Sequence, residues 1–202
     1  MLKKISMIAA TAVFALTGAA QAATIFEDNF DNEALELNAS LDKWTVAPGS
    51  VDVIGPGGPF DFYPGNGNYL DMNGSSVSEG KITTTGSLGL VLGKKYTLTF
   101  SYGANTSTGA PPIILSFGLG GATQTIVFNT QPPSLVSAVY TFVYDDSGDY
   151  LFFADTSGTP NDQGGPVLDN VKLSAVPLPA GGLLLLGALG GIAALRRRRK
   201  AA

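Results

Sequence analysis

The chain has 202 residues, of which 14% are charged and none is cysteine or histidine. These absences exclude disulfides, cysteine nucleophiles, Ser-His-Asp triads and the usual zinc sites. Residues 23–175 contain five basic and 16 acidic residues, a net charge of −11, so this part of the chain repels nucleic acid and anionic lipid but is compatible with cations and neutral sugars.

The N-terminus has the pattern of a secretory signal peptide. Two lysines precede an apolar run over residues 8–20, and Ala20 and Ala22 occupy the two positions that signal peptidase inspects. We therefore predict that residues 1–22 are removed on export and that Ala23 becomes the first residue of the exported chain.

Residues 23–174 have the pattern of a single all-β domain. Short apolar or alternating runs recur between glycine- and proline-rich turns, and none of them forms a convincing amphipathic helix. In Tyr96–Tyr102, large apolar and small polar residues alternate strictly, as in a half-buried strand. This pattern predicts an antiparallel β-sandwich. The clearest predicted strands are Ile25–Phe30, Ser50–Ile54, Tyr69–Met72, Lys81–Thr85, Tyr96–Tyr102, Ile113–Leu119, Thr123–Phe128, Val136–Val143, Asp149–Ala154 and Val167–Leu173.

One loop combines flat aromatic rings with amide side chains, the mixture that binds sugars. It contains Phe60, Phe62, Tyr63, Asn66 and Asn68 in a stretch too rich in proline and glycine for regular structure. The alternative interpretation, which the usual burial of aromatic residues favours, is that these rings cover an open end of the sandwich.

The acidic residues include few candidates for catalysis. Asp145 and Asp146, or Glu79, are the carboxylates that a glycosidase could use. However, Asp145-Asp146-Ser147-Gly148 has the composition of a hairpin turn, and Glu79 precedes Gly80 in a serine- and glycine-rich loop. We therefore predict that the protein is not an enzyme.

Residues 175–202 have the pattern of a short membrane anchor. A proline-containing motif precedes an apolar helix predicted over residues 180–195, about 24 Å long and shorter than a bilayer core of about 30 Å. The basic cluster after the helix stays in the cytoplasm, which leaves residues 23–174 outside. The motif is Val176, Pro177, Leu178, Pro179 and Ala180, and the stop-transfer cluster is Arg196, Arg197, Arg198, Arg199 and Lys200.

These three parts, in this order, resemble the VPLPA-type PEP-CTERM sorting signal of Gram-negative bacteria. In that family an exosortase, a membrane-embedded transpeptidase-like enzyme, recognises the short motif and processes the protein near it. The resemblance implies that the anchor is temporary and that the protein reaches the cell surface or the extracellular matrix. On physical grounds alone, a permanent single-span anchor remains an alternative.

A second resemblance extends over nearly all of residues 23–174. The segments "FEDNFD", "FDFYPGNGNYLDMNGS", "GKKYTLTFSYGAN" and "GPVLDNVKL" occur in an order that resembles galactose-binding-like jelly-roll domains, which are related to carbohydrate-binding modules. The resemblance implies a jelly-roll fold. It also implies a structural calcium ion where the first and last strands meet, with Glu27, Asp28 and Asp169 at the matching positions. The alternative is that these acids are solvated or cap turns.

Together these features predict an exported, non-enzymatic protein of the cell surface or matrix that binds polysaccharide or serves as a structural component. Its predicted partners are signal peptidase, an exosortase, the membrane through the C-terminal helix, and an exopolysaccharide; nucleic acid is not among them. Two alternative functions are a secreted glycan hydrolase and a calcium-dependent adhesin.

Overall fold

The computed structural model describes residues 22–76, 78–106, 112–158 and 164–177, and these residues form a sandwich of antiparallel β-sheets. Within these ranges there is no helix, and therefore none that is long and apolar enough to cross a membrane. The strands are β1 (Thr24–Asp28), β2 (Trp44–Val46), β3 (Asp52–Ile54), β4 (Tyr69–Asp71), β5 (Asn73–Gly74), β6 (Ser78–Glu79), β7 (Lys81–Thr84), β8 (Lys95–Asn105), β9 (Ile113–Leu119), β10 (Ala122–Phe128), β11 (Val136–Val143), β12 (Leu151–Asp155) and β13 (Gly165–Ala175).

Two large sheets form the layers of the sandwich. Sheet A has the strand order β11-β8-β13-β4-β3, with β1 also paired to β13, and sheet B has the order β10-β9-β12-β7-β2. Strands β5 and β6 form a separate small pair. Strands that are neighbours in sequence often lie in different sheets, so most pairings connect distant parts of the chain.

Strand β13 organises sheet A. It pairs with β8 along one edge, and along its other edge it pairs first with β4 and then with β1. The register with β8 shifts between Asp169 and Lys172, and Asn170 at this bulge has a φ of 51°. Asparagine tolerates this left-handed conformation better than most residues. The bulge therefore places Asp169 between the part of β13 that pairs with β4 and the part that pairs with β1.

The core lies between the sheets and is largely aromatic. Phe100 of sheet A packs edge-on against Phe117 and Phe153 of sheet B, with ring centroids 4.8 and 5.1 Å apart. Trp44, the only tryptophan, is 2% exposed and contacts Phe153 at 6.0 Å. Period-two alternation brings these rings to the inner face of each strand.

The prediction of an all-β antiparallel sandwich is confirmed. Each of the ten predicted runs overlaps a strand, and the bounds of β9 and β11 agree with the prediction. The short strands β2, β5 and β6 were not among the predicted strands, because two or three residues are too few to show alternation.

Candidate functional site

The charges of Asp28 and Asp31 act on Asp169 near the junction of the first and last strands, and we call these three residues the β1–β13 acid group. Asp28 ends β1, Asp31 follows in the next turn, and Asp169 is fully buried at the bulge of β13. Burial, with a further contribution from the charges of Asp31 and Asp28, raises the pKa of Asp169 from 3.8 to about 7, although the N–H of Asn170 lowers it. The charges of Asp28 and Asp31 thus reinforce the effect of burial on Asp169.

Hydrogen bonds fix each member of the β1–β13 acid group. Trp44 Nε1 donates to Asp28 Oδ2 at 2.8 Å, so this carboxylate anchors the tryptophan of the core. Asn170 donates to Asp169 twice, from its backbone N at 2.6 Å and from Nδ2 at 2.8 Å. The backbone N of Asn68 donates to Asp31 Oδ1 at 2.9 Å, which ties the turn after β1 to a second loop.

Glu27 does not join this group, although the sequence suggested it beside Asp28 and Asp169. Neighbouring residues of a strand point to opposite faces, so Glu27 faces outward when Asp28 faces inward. Its carboxylate pairs with Lys172 at 3.5 Å and is 68% exposed. The third acid is instead Asp31, which sequence reasoning missed although it lies in the same "FEDNFD" segment.

The acid group does not by itself form a calcium shell. Calcium takes about six to eight oxygen ligands, but Asp28 Oδ1 already accepts from the N of Phe30 at 3.3 Å and faces Lys43 Nζ at 3.6 Å. Within the described part of the chain, no three acidic side chains come together as a metal-binding group. Carbonyl oxygens or water would have to complete the shell, and the calcium ion stays a prediction.

A polar cleft of about 350 Å³ opens beside the acid group. Its walls carry amide and charged side chains and only one aliphatic residue, Val171. Such a lining suits a small polar ligand better than an apolar one. The lining residues are Glu27, Asp28, Asn29, Asn32, Lys43, Asn170, Val171 and Lys172.

The predicted aromatic loop presents a pair of stacked rings. Phe60 and Phe62 lie 6.0 Å apart with an interplanar angle of 16°, and Phe60 is 43% exposed. The hydroxyl of Tyr69 holds the loop beneath them: it accepts from the backbone N of Phe62 at 2.5 Å and donates to Asp61 Oδ1 at 2.9 Å. Burial raises the pKa of Tyr69, so this hydroxyl keeps its proton and remains a donor.

The other predicted residues of this loop stabilise the fold. Tyr63 is 3% exposed, and its hydroxyl both donates to the carbonyl of Ala104 and accepts from its N–H, each at 2.9 Å. Asn66 donates to the carbonyl of Tyr63, and Asn68 donates to the carbonyl of Glu33. The ring of Tyr63 is therefore not accessible to a ligand. The aromatic side chains of this loop that a sugar could contact are Phe60, which is exposed, and Phe62, which is half-buried.

A second group of buried carboxylates lies between the sheets. Asp71 of β4, Asp52 of β3 and Asp155 of β12 are each 4% exposed. Asp71 accepts from the N of Asn73 at 3.1 Å and from Asn105 Nδ2 at 2.9 Å. Burial raises the pKa of Asp71 from 3.8 to about 7, with the charges of Asp52 and Asp155 adding to this rise.

This pKa predicts that the fold is less stable in mild alkali than in mild acid. The folded pKa of Asp71 lies above its ordinary value, so the contribution of its proton to stability is fully present below about pH 4 and is lost as the pH rises through about 7. We expect the melting temperature in EGTA to fall by roughly 5–10 °C between pH 5 and pH 8.

The variant Asp71→Asn isolates this contribution. It removes one titrating group and is expected to flatten the pH dependence to about half, because Asp169 still titrates. The matched control is Asp145→Asn, which removes an exposed acid and is expected to leave the change in melting temperature between pH 5 and pH 8 unaltered. If the melting temperature of Asp71→Asn depended on pH as strongly as that of the wild type, Asp71 would be ruled out as the source of the pH dependence.

The carboxylates considered for catalysis are engaged in local contacts. Asp145 accepts from the backbone N and the hydroxyl of Ser147, bonds that lower its pKa. Asp146 adopts a φ of 67° in the same turn. Glu79 accepts from the backbone N of Gly158. Asp145 and Asp146 therefore lie in the predicted turn at Asp145–Gly148 and contribute to its local structure.

Most of the predicted processing residues lie outside the described part of the chain. Among them are Ala20, Leu178, Pro179, Ala180 and the basic cluster 196–200. Ala22, Ala23, Val176 and Pro177 are described, and the backbone N of Val176 donates to the carbonyl of Lys95 at 2.9 Å. The cleavage, sorting and stop-transfer assignments stay predictions.

The sequence matches no protein-family model and no curated protein. Among solved structures, the chain is similar to the CBM22-1 xylan-binding domain from Paenibacillus barcinonensis Xyn10C, at 13% identity over 80% of this chain and 100% of that one, with a TM-score of 0.49. It is also similar to the CBM22-1–GH10 modules of Clostridium thermocellum endo-1,4-β-D-xylanase 10B, at 14% identity over 79% of this chain and 30% of that one, with a TM-score of 0.48. A third similar structure is the K3 adhesin domain of Lys-gingipain from Porphyromonas gingivalis, at 14% identity, 75% and 99% coverage, and a TM-score of 0.46. At these identities and TM-scores, no ligand, site residue or activity is carried over to this chain.

Proposed function

We propose that residues 23–174 form a non-enzymatic carbohydrate-binding domain displayed outside the cytoplasm. The observation that carries this proposal is the stacked pair Phe60 and Phe62, of which Phe60 is exposed and Phe62 is half-buried. Flat aromatic faces bind the apolar faces of sugar rings, and neighbouring polar groups then fix the orientation. The net charge of −11 over residues 23–175 favours a neutral polysaccharide over an acidic one.

The rigidity of the loop supports this proposal. The backbone N–H groups of Phe62 and Tyr63 both donate to the hydroxyl of Tyr69, which is itself fixed in the core. A surface that is ordered before binding loses less conformational entropy when the ligand arrives. The two rings are therefore a prepared contact surface.

The substitution Phe60→Ala tests the sugar contact. Removal of one stacking face is expected to weaken binding about tenfold, which corresponds to about 1.4 kcal/mol. The measurement is affinity electrophoresis in a panel of soluble neutral polysaccharides that includes xylan and the exopolysaccharide of the producing organism. The control Leu92→Ala removes another exposed apolar side chain, 66% accessible and outside this loop. If polysaccharide in the gel retarded Phe60→Ala and Leu92→Ala equally, the result would contradict the proposed sugar-binding site.

The sequence signals at both ends support export and processing. In this proposal, signal peptidase cleaves after Ala22, and an exosortase recognises Val176–Ala180 while the apolar segment holds the protein in the membrane. We expect the intact mass of the surface-located protein to lack residues 1–22 and the segment beyond the motif. A mass that retains the C-terminal segment would indicate a permanent anchor instead.

A calcium ion at the β1–β13 acid group is also proposed. Asp169 is fully buried, and the charges of Asp28 and Asp31 act on it. Lys43 offsets one of these negative charges because it pairs with Asp28. A cation would offset the negative charge that remains. Chelation is expected to lower the melting temperature by several degrees, and Asp169→Asn to abolish this response while Asp145→Asn keeps it. A melting temperature that is insensitive to chelator would contradict the ion.

A further inference from the structure

The strands that end the two sheets differ on the two sides of the sandwich. On one side the sheets end at β2 and β3, which have three residues each, and Glu36 forms a bridge to β3 at Val53. On the other side they end at β10 and β11, with seven and eight residues. Both pair with their inner neighbours over their whole length without a shift in register. The long edges are therefore on one side.

Natural proteins usually protect an edge strand with a short length, a charge, a proline or a bulge. Strands β10 and β11 contain no charged residue and no proline. In the described part of the chain, no backbone group outside their sheets bonds to either strand. Val127, Val139 and Val143 on these strands are 55%, 67% and 55% exposed. This side of the sandwich thus retains backbone donors and acceptors beside exposed apolar side chains.

The charge distribution indicates which partner fits this side. No charged residue occurs in the 49 residues Tyr96–Tyr144, which include β9, β10, β11 and all of β8 except its first residue, Lys95. All 16 acidic residues lie elsewhere in the chain. Two copies of this acidic chain therefore repel each other least when these uncharged sides face each other. A charged partner would gain no electrostatic attraction from this side, because it carries no opposite charge.

We propose that β11 pairs with β11 of a second copy of this chain, antiparallel about a two-fold axis, so that sheet A continues through a dimer. A self-complementary edge is what a two-fold interface requires, and main-chain bonds supply the affinity in such strand addition. Strand β11 is favoured over β10 because it is longer and has three exposed valines, Val136, Val139 and Val143. The inference is independent of sugar binding at the aromatic loop.

The absence of cysteine from the chain makes single-cysteine variants clean probes of this dimer. Ser137, Val139 and Thr141 alternate along β11 and share its outward face. When each is replaced by cysteine in the full chain in detergent micelles, mild oxidation is expected to give a covalent dimer, most efficiently at the position nearest the axis. Thr45→Cys, at the exposed β2 edge, is the matched control and is expected to stay monomeric. Equal cross-linking at positions 45 and 139 would overturn the proposal.

A charge at the same edge provides a second test. Val139→Lys is expected to weaken dimerisation at least tenfold in sedimentation velocity, and Thr45→Lys to leave it unchanged, with the fluorescence of buried Trp44 confirming that both variants are folded. Added salt should strengthen the wild-type dimer, because it screens the repulsion between two acidic bodies. A wild-type chain that stays monomeric, or a Val139→Lys variant that loses retention by polysaccharide rather than dimerisation, would refute strand pairing between copies.

Discussion

The structure depends on the antiparallel pairing of β13 with β8. This pair joins the last strand of the domain to a central one, and β13 then holds β4 and β1 along its other edge. Because β8 also carries β11 and contributes Phe100 to the core, the contact connects the outer edge of sheet A to the aromatic centre. The free energy of the sandwich thus comes from non-local pairing and burial, with little from local preference.

Carboxylates buried in this frame distinguish the domain from a purely apolar sandwich. Asp28, Asp71 and Asp169 lie at strand ends or at a bulge, where alternation brings a side chain inward but a loop supplies donors. Each is held by N–H groups of tryptophan, asparagine or backbone. A buried carboxylate needs such donors, because the loss of water otherwise disfavours its charged form. The acidity of the chain is therefore partly an internal structural feature and not only a property of its surface.

The sequence contained enough information for the strands and for the sheet class, because alternation in runs such as Tyr96–Tyr102 directly reflects one buried face. It also indicated the segments that contain Phe60, Phe62, Asp28 and Asp169, whose roles in binding stay predictions. It could not separate Glu27 from Asp28, since the face on which each lies depends on the register with β13. Nor could it show that Tyr63 is buried, because the hydroxyl finds its partner at Ala104, 41 residues away.

The bond between Ala175 N and the carbonyl of Ala23, 2.9 Å long, has a consequence for how the domain is made. The first and last strands lie side by side, so sheet A remains incomplete until β13, the last strand of the domain, is present to pair with β1, β4 and β8. A chain that ended before β13 would therefore lose the partner that β1, β4 and β8 share, and the bond between Ala23 and Ala175 with it.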